Sequence, residues 1–557
     1  MTQGPKMSTW FARRALNLVR ALVNLYYTRK YGTMARHLGR PDVSPEPQRG
    51  FIIVQIDGLS YNHLRQALDA GYMPHLAKLL AERQLTLAHW RCGVPSTTPA
   101  VQAGIMFGNR FDIPGFRWYE KERRRTISTK RPDQIQAVRT RVSQGRPGIL
   151  QGGSCYVSMF DGDADLALFT LSTLTPHRFF ESIRGMGLFL LFLLSPFRIL
   201  RLAGLTTLSY LIGLGSRLVA FVRPSVLNPF DVLSPLLHAA SDALFTEVQT
   251  FGVMLDIYRR VSAIYANYNS YDEVAHKLGP DHRAAFRTLR TVDKHIHQIN
   301  RMRARYRQRE YDLYVLSDHG NSPAVPFSWR HGTSLGRYIA AQIGEDISLA
   351  EQIGAHVHST EKTRYLLQEL ESLEHRLSPR LRRILSAIRH RVDQYVPSGQ
   401  ELDYDPERQQ EIIVSVSGPL AHLYFNVSPR PLDLIEVMLL YPQLAESLLA
   451  NPGIGALVGR AKEQHVVLGQ RGGMLVVGEK HELVKQPHPL APYGDTTYGA
   501  DQIHRLAHFP HAGDLIVLGA VELDGKIVGF EEQVATHGGL GGPQVYPFIA
   551  WPPERDL

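Results

Sequence analysis

Residues 51–60 read FIIVQIDGLS, a continuous apolar run that ends at Asp57 and Gly58. Short apolar runs of the same kind recur at SAIYANYNSYD, YDLYVLSDHG, EIIVSVSG, GDLIVLGAVEL and VYPFIAW. They alternate with segments of helical periodicity, which predict helices over 73–81, 283–303 and 361–389. Buried apolar strands that alternate with helices favour an α/β fold, in which a mostly parallel sheet is covered by helices on both faces.

The composition is that of a globular protein. The 557 residues are 44% hydrophobic and 20% charged, which excludes a disordered or collagen-like chain. Two cysteines, Cys92 and Cys155, are too few for a disulfide framework or a cysteine zinc cluster, so any metal would be held by histidines and carboxylates. The net charge of +10 favours an anionic partner. We expect no nucleic-acid partner, because no known binding motif occurs and the basic residues are not interleaved with aromatic ones.

Two basic and apolar segments depart from the strand–helix alternation. Residues 10–31 (WFARRALNLVRALVNLYYTRKY) predict a basic amphipathic helix, and a Pro-rich linker then leads to residue 49. Arg20 interrupts the apolar stretch, so the helix is not a cleavable signal peptide. Residues from about 179 to 235 form an apolar insertion, whose centre at 185–222 is broken by Pro196 and three arginines. Its uncharged stretches are shorter than the ~20 residues that a membrane span needs.

These two segments predict an anionic membrane surface as a partner. The helix at 10–31 would lie on that surface, or else pack on the body of the protein. The insertion would dip into one leaflet as a helical hairpin with its arginines at the head groups, or else form a buried helical pair. Because neither a signal peptide nor a full-length span is present, we expect association with the cytoplasmic face of a membrane.

Residues that could perform chemistry lie at or near the ends of the predicted strands, where sites gather in α/β sheets. Six acidic or imidazole side chains are placed in this way: Asp57, Asp272, His276, Asp318, His319 and His537. Carboxylates and neutral imidazoles suit zinc or manganese, and six of them suffice for two ions with open positions for a substrate. Two ions ~4 Å apart can stabilise both the attacking and the leaving oxygen of a phosphoryl displacement.

The segment CGVPSTTPAVQAGIMFG, residues 92–108, supplies a candidate nucleophile. Thr98 precedes Pro99, and the residues that follow predict a short helix with Pro99 at its first position and Thr98 at its cap. A hydroxyl at that place would face the positive end of the helix, where backbone N–H groups bind phosphate, and a nearby cation would lower its pKa. Alternatively, Thr98 only caps the helix.

These motifs together resemble the alkaline phosphatase superfamily: Asp57-Gly58, PSTTP, DEVAHKLGP, SDHG and His537-Gly538. DEVAHKLGP makes the type I phosphodiesterase/nucleotide pyrophosphatase branch the most similar, and SDHGNSPAVPFSWRHGTSL and THGGLGGPQVYPFIAWP resemble its bacterial membrane-associated members. The resemblance covers roughly residues 51–552, apart from the apolar insertion and parts of 345–410. It implies an alkaline-phosphatase-like catalytic domain over 50–557, with a central, mostly parallel sheet between helices.

The resemblance also implies the ligands of two divalent ions, zinc or alternatively manganese. One ion would be bound by Asp57, Asp318, His319 and the nucleophilic threonine, and the other by Asp272, His276 and His537. The spacing from Pro95 and from Gly108 selects Thr98 as the nucleophile, whereas the Thr-x-Pro order that is frequent in the family selects Thr97. Nucleotide-cleaving members commonly have an asparagine after that proline, where this chain has Ala100 and Val101.

We therefore predict a metal-dependent phosphodiesterase or phosphatase that forms a covalent phosphothreonine and acts on a lipid or another membrane-associated phosphoester. The alternatives are a soluble nucleotide pyrophosphatase/phosphodiesterase, a head-group phosphotransferase and a non-catalytic membrane scaffold. Arg117, Trp118 and Tyr119 would line the substrate pocket or lie on a surface loop. His504, His508 and His511 have a spacing loosely compatible with metal binding, but without carboxylates at fixed positions we do not count them as ligands.

Overall fold

The computed structural model describes residues 49–173, 233–344, 348–353 and 411–555, with a few isolated residues between 203 and 214. The predicted N-terminal helix and linker, the helix at 361–389 and nearly all of the predicted insertion lie outside the described residues. Among the described helices, none combines the length and the apolar character that crossing a membrane requires.

The strands of the described residues are numbered in chain order. They are β1 (Gly50–Ile56), β2 (Thr86–His89), β3 (Arg117–Glu120), β4 (Arg125–Ser128), β5 (Ser154–Tyr156), β6 (Leu166–Leu168), β7 (Ala263–Tyr268), β8 (Tyr311–Leu316), β9 (Ser322–Pro326), β10 (Leu349–Gln352), β11 (Ile412–Ser417), β12 (Leu420–Phe425), β13 (Ile454–Ala461), β14 (Gln464–Gly469), β15 (Met474–Val477), β16 (Glu482–Lys485), β17 (Leu515–Gly519), β18 (Ile527–Gly529), β19 (Ala535–Thr536) and β20 (Phe548–Trp551).

The α-helices of the same residues are numbered likewise. They are α1 (Tyr61–Asp69), α2 (Pro74–Ala81), α3 (Thr98–Phe107), α4 (Pro132–Ser143), α5 (Leu233–Arg259), α6 (Ser270–Leu278), α7 (Arg283–Arg305), α8 (Phe327–His331), α9 (Leu335–Ile343), α10 (Leu434–Leu440), α11 (Leu444–Ala450) and α12 (Thr496–Ala507).

The central sheet has the strand order β2-β20-β8-β1-β7-β5-β6. From β8 to β6, neighbouring strands are parallel, whereas β20 is antiparallel to both β8 and β2. The predicted α/β class is therefore confirmed, with a sheet that is mixed through β20. The runs that begin at residues 51, 262 and 311 form its three adjacent strands β1, β7 and β8.

The side chains of β1 show how the sheet is covered. Ile52, Val54 and Ile56 join a buried cluster with apolar residues of α1, α2, α5, α6 and α7. Ile53 points to the opposite face and joins a cluster with apolar residues of α3 and α4. Because successive side chains of a strand alternate between the two faces, this continuous apolar run requires helices on both sides.

A second sheet was not expected from the sequence. Its order is β10-β11-β12-β17-β13-β14-β15-β16, and its pairs are antiparallel apart from β10 with β11. The strands predicted at 411–418 and 513–523 lie here as β11 and β17, so their assignment to the central sheet was wrong. The two-residue connection between β11 and β12 forces an antiparallel hairpin, which an apolar run does not reveal by itself.

The turn of that hairpin packs against the segment that carries His537. Gly418 has a φ of +64°, a left-handed conformation that favours glycine. A Cβ atom at Gly418 would overlap the carbonyl oxygen of His537. The second sheet therefore helps to fix the position of one predicted metal ligand.

We predict that Gly418→Ala lowers the free energy of unfolding by roughly 2–5 kcal/mol, because overpacking against His537 adds to the left-handed strain. Gly71→Ala is the matched control, since Gly71 has a φ of +72° but open space around it. It should cost only about 1–2 kcal/mol. Urea unfolding measures both variants, and equal losses would contradict the packing of the turn against His537.

Candidate active site

The carboxyl edge of the central sheet brings the predicted residues together. Asp57 directly follows β1, and Asp318 and His319 follow the parallel neighbour β8. His537 directly follows β19, which pairs with β9 just beyond them. Since parallel neighbours end at the same edge of a sheet, segments that are distant in sequence converge there.

Asp272 and His276 come from a helix instead of a strand end. β7 ends at Tyr268, so the prediction that this strand continues to Asp272 was wrong, and Asp272 lies in the first turn of α6. Residues four apart share one face of a helix. Accordingly, Oδ2 of Asp272 lies 3.1 Å from Nε2 of His276.

Thr98 occupies the first position of α3, with Thr97 at the N-cap and Pro99 in the first turn. The prediction that Thr98 is the cap was wrong by one residue, because proline suits any first-turn position whose N–H would be unpaired. Thr98 Oγ1 lies 3.1 Å from Nε2 of His319, whereas Thr97 Oγ1 is buried without a hydrogen-bond partner. Of the two threonines, Thr98 is the one whose hydroxyl contacts the cluster.

His319 lies at the centre of the cluster. Its Nε2 is 3.5 Å from Asp57 Oδ1 and 3.5 Å from Asp318 Oδ2. Its ring stacks on that of His537 with 3.7 Å between centroids, and His537 Nε2 lies 3.9 Å from Asp272 Oδ1. The seven predicted site residues are therefore linked into one group, and none of them is more than 6% exposed.

The three histidines of the cluster share one orientation. In His276, His319 and His537 the Nδ1 atom contacts a backbone carbonyl oxygen. These oxygens belong, in the same order, to Ala535, Gly320 and Ser96, at 2.7, 3.0 and 2.9 Å. A carbonyl only accepts, so Nδ1 carries the proton and each Nε2 faces the cluster as a potential ligand atom. Metal-binding histidines are commonly held by an outer partner in this way.

Two carboxylate oxygens supply an independent test of whether cations fit. Asp57 Oδ1 and Asp318 Oδ2 are buried without a hydrogen-bond partner. The other oxygen of each is held, by Asn267 Nδ2 at 2.9 Å and by Gly58 N at 3.4 Å. A buried charged oxygen without a donor is unfavourable unless a cation compensates it. Carboxylate oxygens beside imidazole nitrogens are a donor set that suits zinc or manganese.

The possible ligand atoms form two overlapping groups, within each of which they lie less than 4.8 Å apart. One group contains Asp272, His276 and His537, which is the set predicted for one ion. The other contains Asp57, His319 and again Asp272. It differs from the predicted set, in which Asp318 stood beside Asp57 and His319. Asp272 is therefore common to both groups.

Two asparagines support the cluster and were not predicted. Asn321 Nδ2 donates to Asp272 Oδ1 at 2.7 Å and to the Gly58 carbonyl at 3.0 Å. Asn267, on β7, donates to Asp57. The available signal was an amide two residues after Asp318-His319 and a polar residue within the apolar run AIYANY. Such positions orient carboxylates through hydrogen bonds.

Other candidates from the sequence lie outside this cluster. Arg117, Trp118 and Tyr119 lie in strand β3 and are buried, so the surface-loop alternative was wrong. His504 and His508 lie near His465 instead of the active site. His511 Nδ1 contacts Asp112 Oδ2 at 2.6 Å and belongs to neither cluster.

The surroundings shift the pKa values of Asp57 and Asp272 in opposite directions. Burial, and then repulsion from Asp318 and Asp272, raises the pKa of Asp57 well above its ordinary value. Burial acts in the same direction on Asp272, but His276 and the other imidazoles lower its pKa well below the ordinary value. Burial would lower the pKa of His276, but Asp272 raises it. Without a cation the site thus holds an Asp272–His276 ion pair beside an Asp57 that resists ionisation.

The chain is similar to one family model and to several solved structures. The family model described as type I phosphodiesterase / nucleotide pyrophosphatase matches residues 51–424. Phosphonoacetate hydrolase from Sinorhizobium meliloti 1021 is similar over 92% of each chain, at 15% identity and a TM-score of 0.41. Murine ectonucleotide pyrophosphatase/phosphodiesterase 5 is similar over 90% of this chain and 88% of its own, at 10% identity and a TM-score of 0.42. No curated protein sequence matches the chain.

The family match spans more than half of the chain, so the protein belongs to the type I phosphodiesterase/nucleotide pyrophosphatase family. The membership predicted from Asp57-Gly58, DEVAHKLGP and SDHG is confirmed. The protein is accordingly an enzyme of the phosphoester hydrolase class.

We predict that Asp57→Asn stabilises the cation-free protein at neutral pH. A carboxyl whose pKa is raised by folding favours the folded state at low pH, and this contribution is lost as pH rises from about 4 through the raised value. The amide removes the buried charge, so the advantage of the variant should grow with pH and vanish near pH 4.

Thermal unfolding in a chelator between pH 4 and pH 8 measures this difference. Adding Zn²⁺ should reverse the order, because the wild-type protein has the complete ligand set. A variant less stable than the wild-type protein at every pH in the chelator would contradict the repulsion around Asp57.

Proposed function

We propose that this family member hydrolyses phosphoesters with Thr98 as the nucleophile, assisted by two divalent ions, zinc or alternatively manganese. The observation that supports this most directly is the position of Thr98. Its hydroxyl lies at the N-terminus of α3 and 3.1 Å from Nε2 of His319, at the edge of a buried group of carboxylates and imidazoles. A capping threonine would instead bond its own helix.

The proposed ligands combine the two geometric groups with Asp318, whose Oδ2 is buried beside His319. Asp272, His276 and His537 would hold one ion, and Asp57, Asp318 and His319 the other, beside Thr98. The unpartnered Asp57 Oδ1 and Asp318 Oδ2 support this assignment. Such ions supply positive charge that lowers the pKa of a hydroxyl and stabilises charge that develops on phosphate oxygens.

Thr98 carries the covalent step. Its Oγ1 loses a proton and forms a bond to phosphorus, while the bond from phosphorus to the leaving oxygen breaks and its electron pair goes to that oxygen, which takes up a proton. Water then attacks the phosphothreonine, the bond between phosphorus and Oγ1 breaks, and Oγ1 regains a proton. In the structure, His319 is protonated at Nδ1 and accepts a hydrogen bond from the Thr98 hydroxyl through Nε2. With Nε2 engaged as a ligand, the Thr98 proton would pass to solvent water.

The start of α3 would also receive the phosphoryl group. Backbone N–H groups at a helix N-terminus are unpaired and bind anions. The residues that follow Pro99 are Ala100 and Val101, whose side chains are buried and carry no polar atoms. Phosphate binding at this point would therefore use the backbone instead of an amide side chain, which weakens the case for nucleotides as substrates.

For the substrate we propose a lipid or lipid-linked phosphoester at the cytoplasmic face of a membrane. The support lies in the sequence, in the basic amphipathic pattern of residues 10–31 and the apolar, arginine-interrupted insertion around 185–222. Both patterns are typical of segments that bind anionic bilayers. They would bring the catalytic domain to a substrate whose phosphoester lies at the bilayer surface.

We predict that Thr98→Val lowers turnover of bis-p-nitrophenyl phosphate by at least ~10³-fold, because the nucleophile is lost while shape is retained. Thr97→Val is the matched control. It removes a hydroxyl that has no hydrogen-bond partner and should leave turnover within a few-fold of the wild-type value. Loss of activity in the Thr97 variant alone would transfer the nucleophile to that residue.

A second prediction concerns the membrane. The full-length protein should sediment with anionic vesicles and not with neutral ones, and binding should weaken as salt is raised. Replacing Arg198, Arg201 and Arg217 by Gln should weaken binding, by about 1 kcal/mol per charge at the surface. Turnover of the soluble ester should be unchanged. If the protein instead hydrolyses soluble nucleotide diesters faster than lipid phosphoesters, whether or not vesicles are present, the nucleotide alternative is favoured.

A further inference from the structure

Three histidines outside the active site meet between the second sheet and α12. His465 lies on β14, His504 lies in the last turn of α12, and His508 is the residue that ends this helix. His504 and His508 are four residues apart and therefore share one face of the helix. The ring centroids lie 4.8 Å apart for His504 and His508, 5.3 Å for His465 and His508, and 6.1 Å for His465 and His504.

His465 is buried without the partners that a buried imidazole requires. It is 2% exposed, and neither of its ring nitrogens has a hydrogen-bond partner. The carbonyl of Ala507 lies near the ring but does not meet hydrogen-bond geometry. His504 Nδ1 is also buried and unpartnered. Unpaired polar atoms in the interior are unfavourable, so a ligand bound by these nitrogens would remove that cost.

The geometry is close to what a metal ion needs. One nitrogen of each ring lies within 4.8 Å of the other two. Nitrogen ligands at ~2.0–2.1 Å from a tetrahedral ion are roughly 3.4 Å from one another. Small rotations of the rings would bring the nitrogens from within 4.8 Å to this shorter separation, since no hydrogen bond fixes the ring of His465.

The charges around the cluster favour neutral rings. Burial lowers the pKa of His465 to about 3, with further lowering by Arg460 and the neighbouring histidines. Burial also lowers the pKa of His504, followed by His508 and His481, whereas Asp501 and Glu479 act in the opposite direction. Neutral imidazoles are the form that binds a metal, and the two acidic groups partly balance the positive charge of Arg460.

We propose that His465, His504 and His508 form a third metal site, which binds a divalent transition ion of the zinc class. Three imidazoles suit Zn²⁺, Cu²⁺ or Ni²⁺ and do not suit Mg²⁺ or Ca²⁺. His508 is exposed, so an ion can reach the cluster from solvent. The bound ion joins β14 to α12 and is separate from the ions proposed beside Thr98.

The site has a structural consequence because α12 also contacts the segment before the nucleophile. Gln502 Oε1 accepts hydrogen bonds from Val94 N at 3.1 Å and from Arg110 Nη2 at 3.0 Å. Gln502 points away from the face that carries His504 and His508, since two residues correspond to about 200° around a helix. An ion that fixes α12 to the sheet therefore stabilises the helix on which Val94 rests.

Equilibrium dialysis of the full chain against Zn²⁺, followed by metal analysis, tests the proposal. The variants are His465→Gln, His504→Gln and His508→Gln, and His488→Gln is a matched control outside the cluster. Each cluster variant should bind one Zn²⁺ fewer than the wild-type protein, with affinity for that ion reduced roughly 100-fold or more. The control should bind the wild-type number, and Mg²⁺ should not occupy the site.

One further variant separates this site from the proposed active-site ions. Asp272→Asn should lose Zn²⁺ from the active site and keep the ion that His508→Gln removes. His508→Gln alters an exposed side chain, so it provides a folded variant if His465→Gln fails to fold. Zinc content in His504→Gln and His508→Gln equal to that of His488→Gln would overturn the proposal.

Discussion

The structure depends on the concentration of negative charge at the carboxyl end of three parallel strands. Asp57, Asp272 and Asp318 are buried within one cluster, and in the interior their mutual repulsion is weakly screened. His276 neutralises one of them, and backbone and amide donors hold single oxygens of the others. The remaining oxygens are available to a cation. The buried negative charge is therefore unfavourable without an ion and would be compensated by one.

The backbone around the cluster leaves little room for adjustment. Gly58 has a φ of +69°, and a Cβ atom there would overlap Asp272 Oδ1, so the Asp-Gly pair is needed for the carboxylates to approach each other. Gly418, in the second sheet, allows the backbone at His537 to approach in the same way, since a Cβ atom at Gly418 would overlap the His537 carbonyl oxygen. Carbonyl groups then fix the tautomer of each histidine. The site is therefore positioned by the second sheet as well as by the central one, whose strands β1 and β8 precede Asp57, Asp318 and His319.

Local motifs predicted much of this site because each lies next to a recognisable strand. Asp57 and Asp318 were placed correctly by the apolar runs that precede them. Asp272 was assigned to a strand end because short apolar runs do not mark where a strand stops and a helix starts. The second sheet and the role of Asn321 could not be predicted, since pairing partners and side-chain hydrogen bonds depend on contacts between distant segments. The sequence did not reveal His465 as the neighbour of His504 and His508, because His465 lies on a separate strand.

The two histidine clusters differ in what holds the second nitrogen of each ring. In the active site, a carbonyl accepts from Nδ1 of His276, His319 and His537, so the rings are oriented before any ion arrives. Catalysis benefits from such pre-orientation, because a displaced ligand shifts the charge that must match the reacting phosphate. Neither nitrogen of His465 is held, so there the ion would impose its geometry on the rings. An adaptable site accepts several transition ions and suits a role in holding α12 in place, whereas the pre-oriented site suits chemistry.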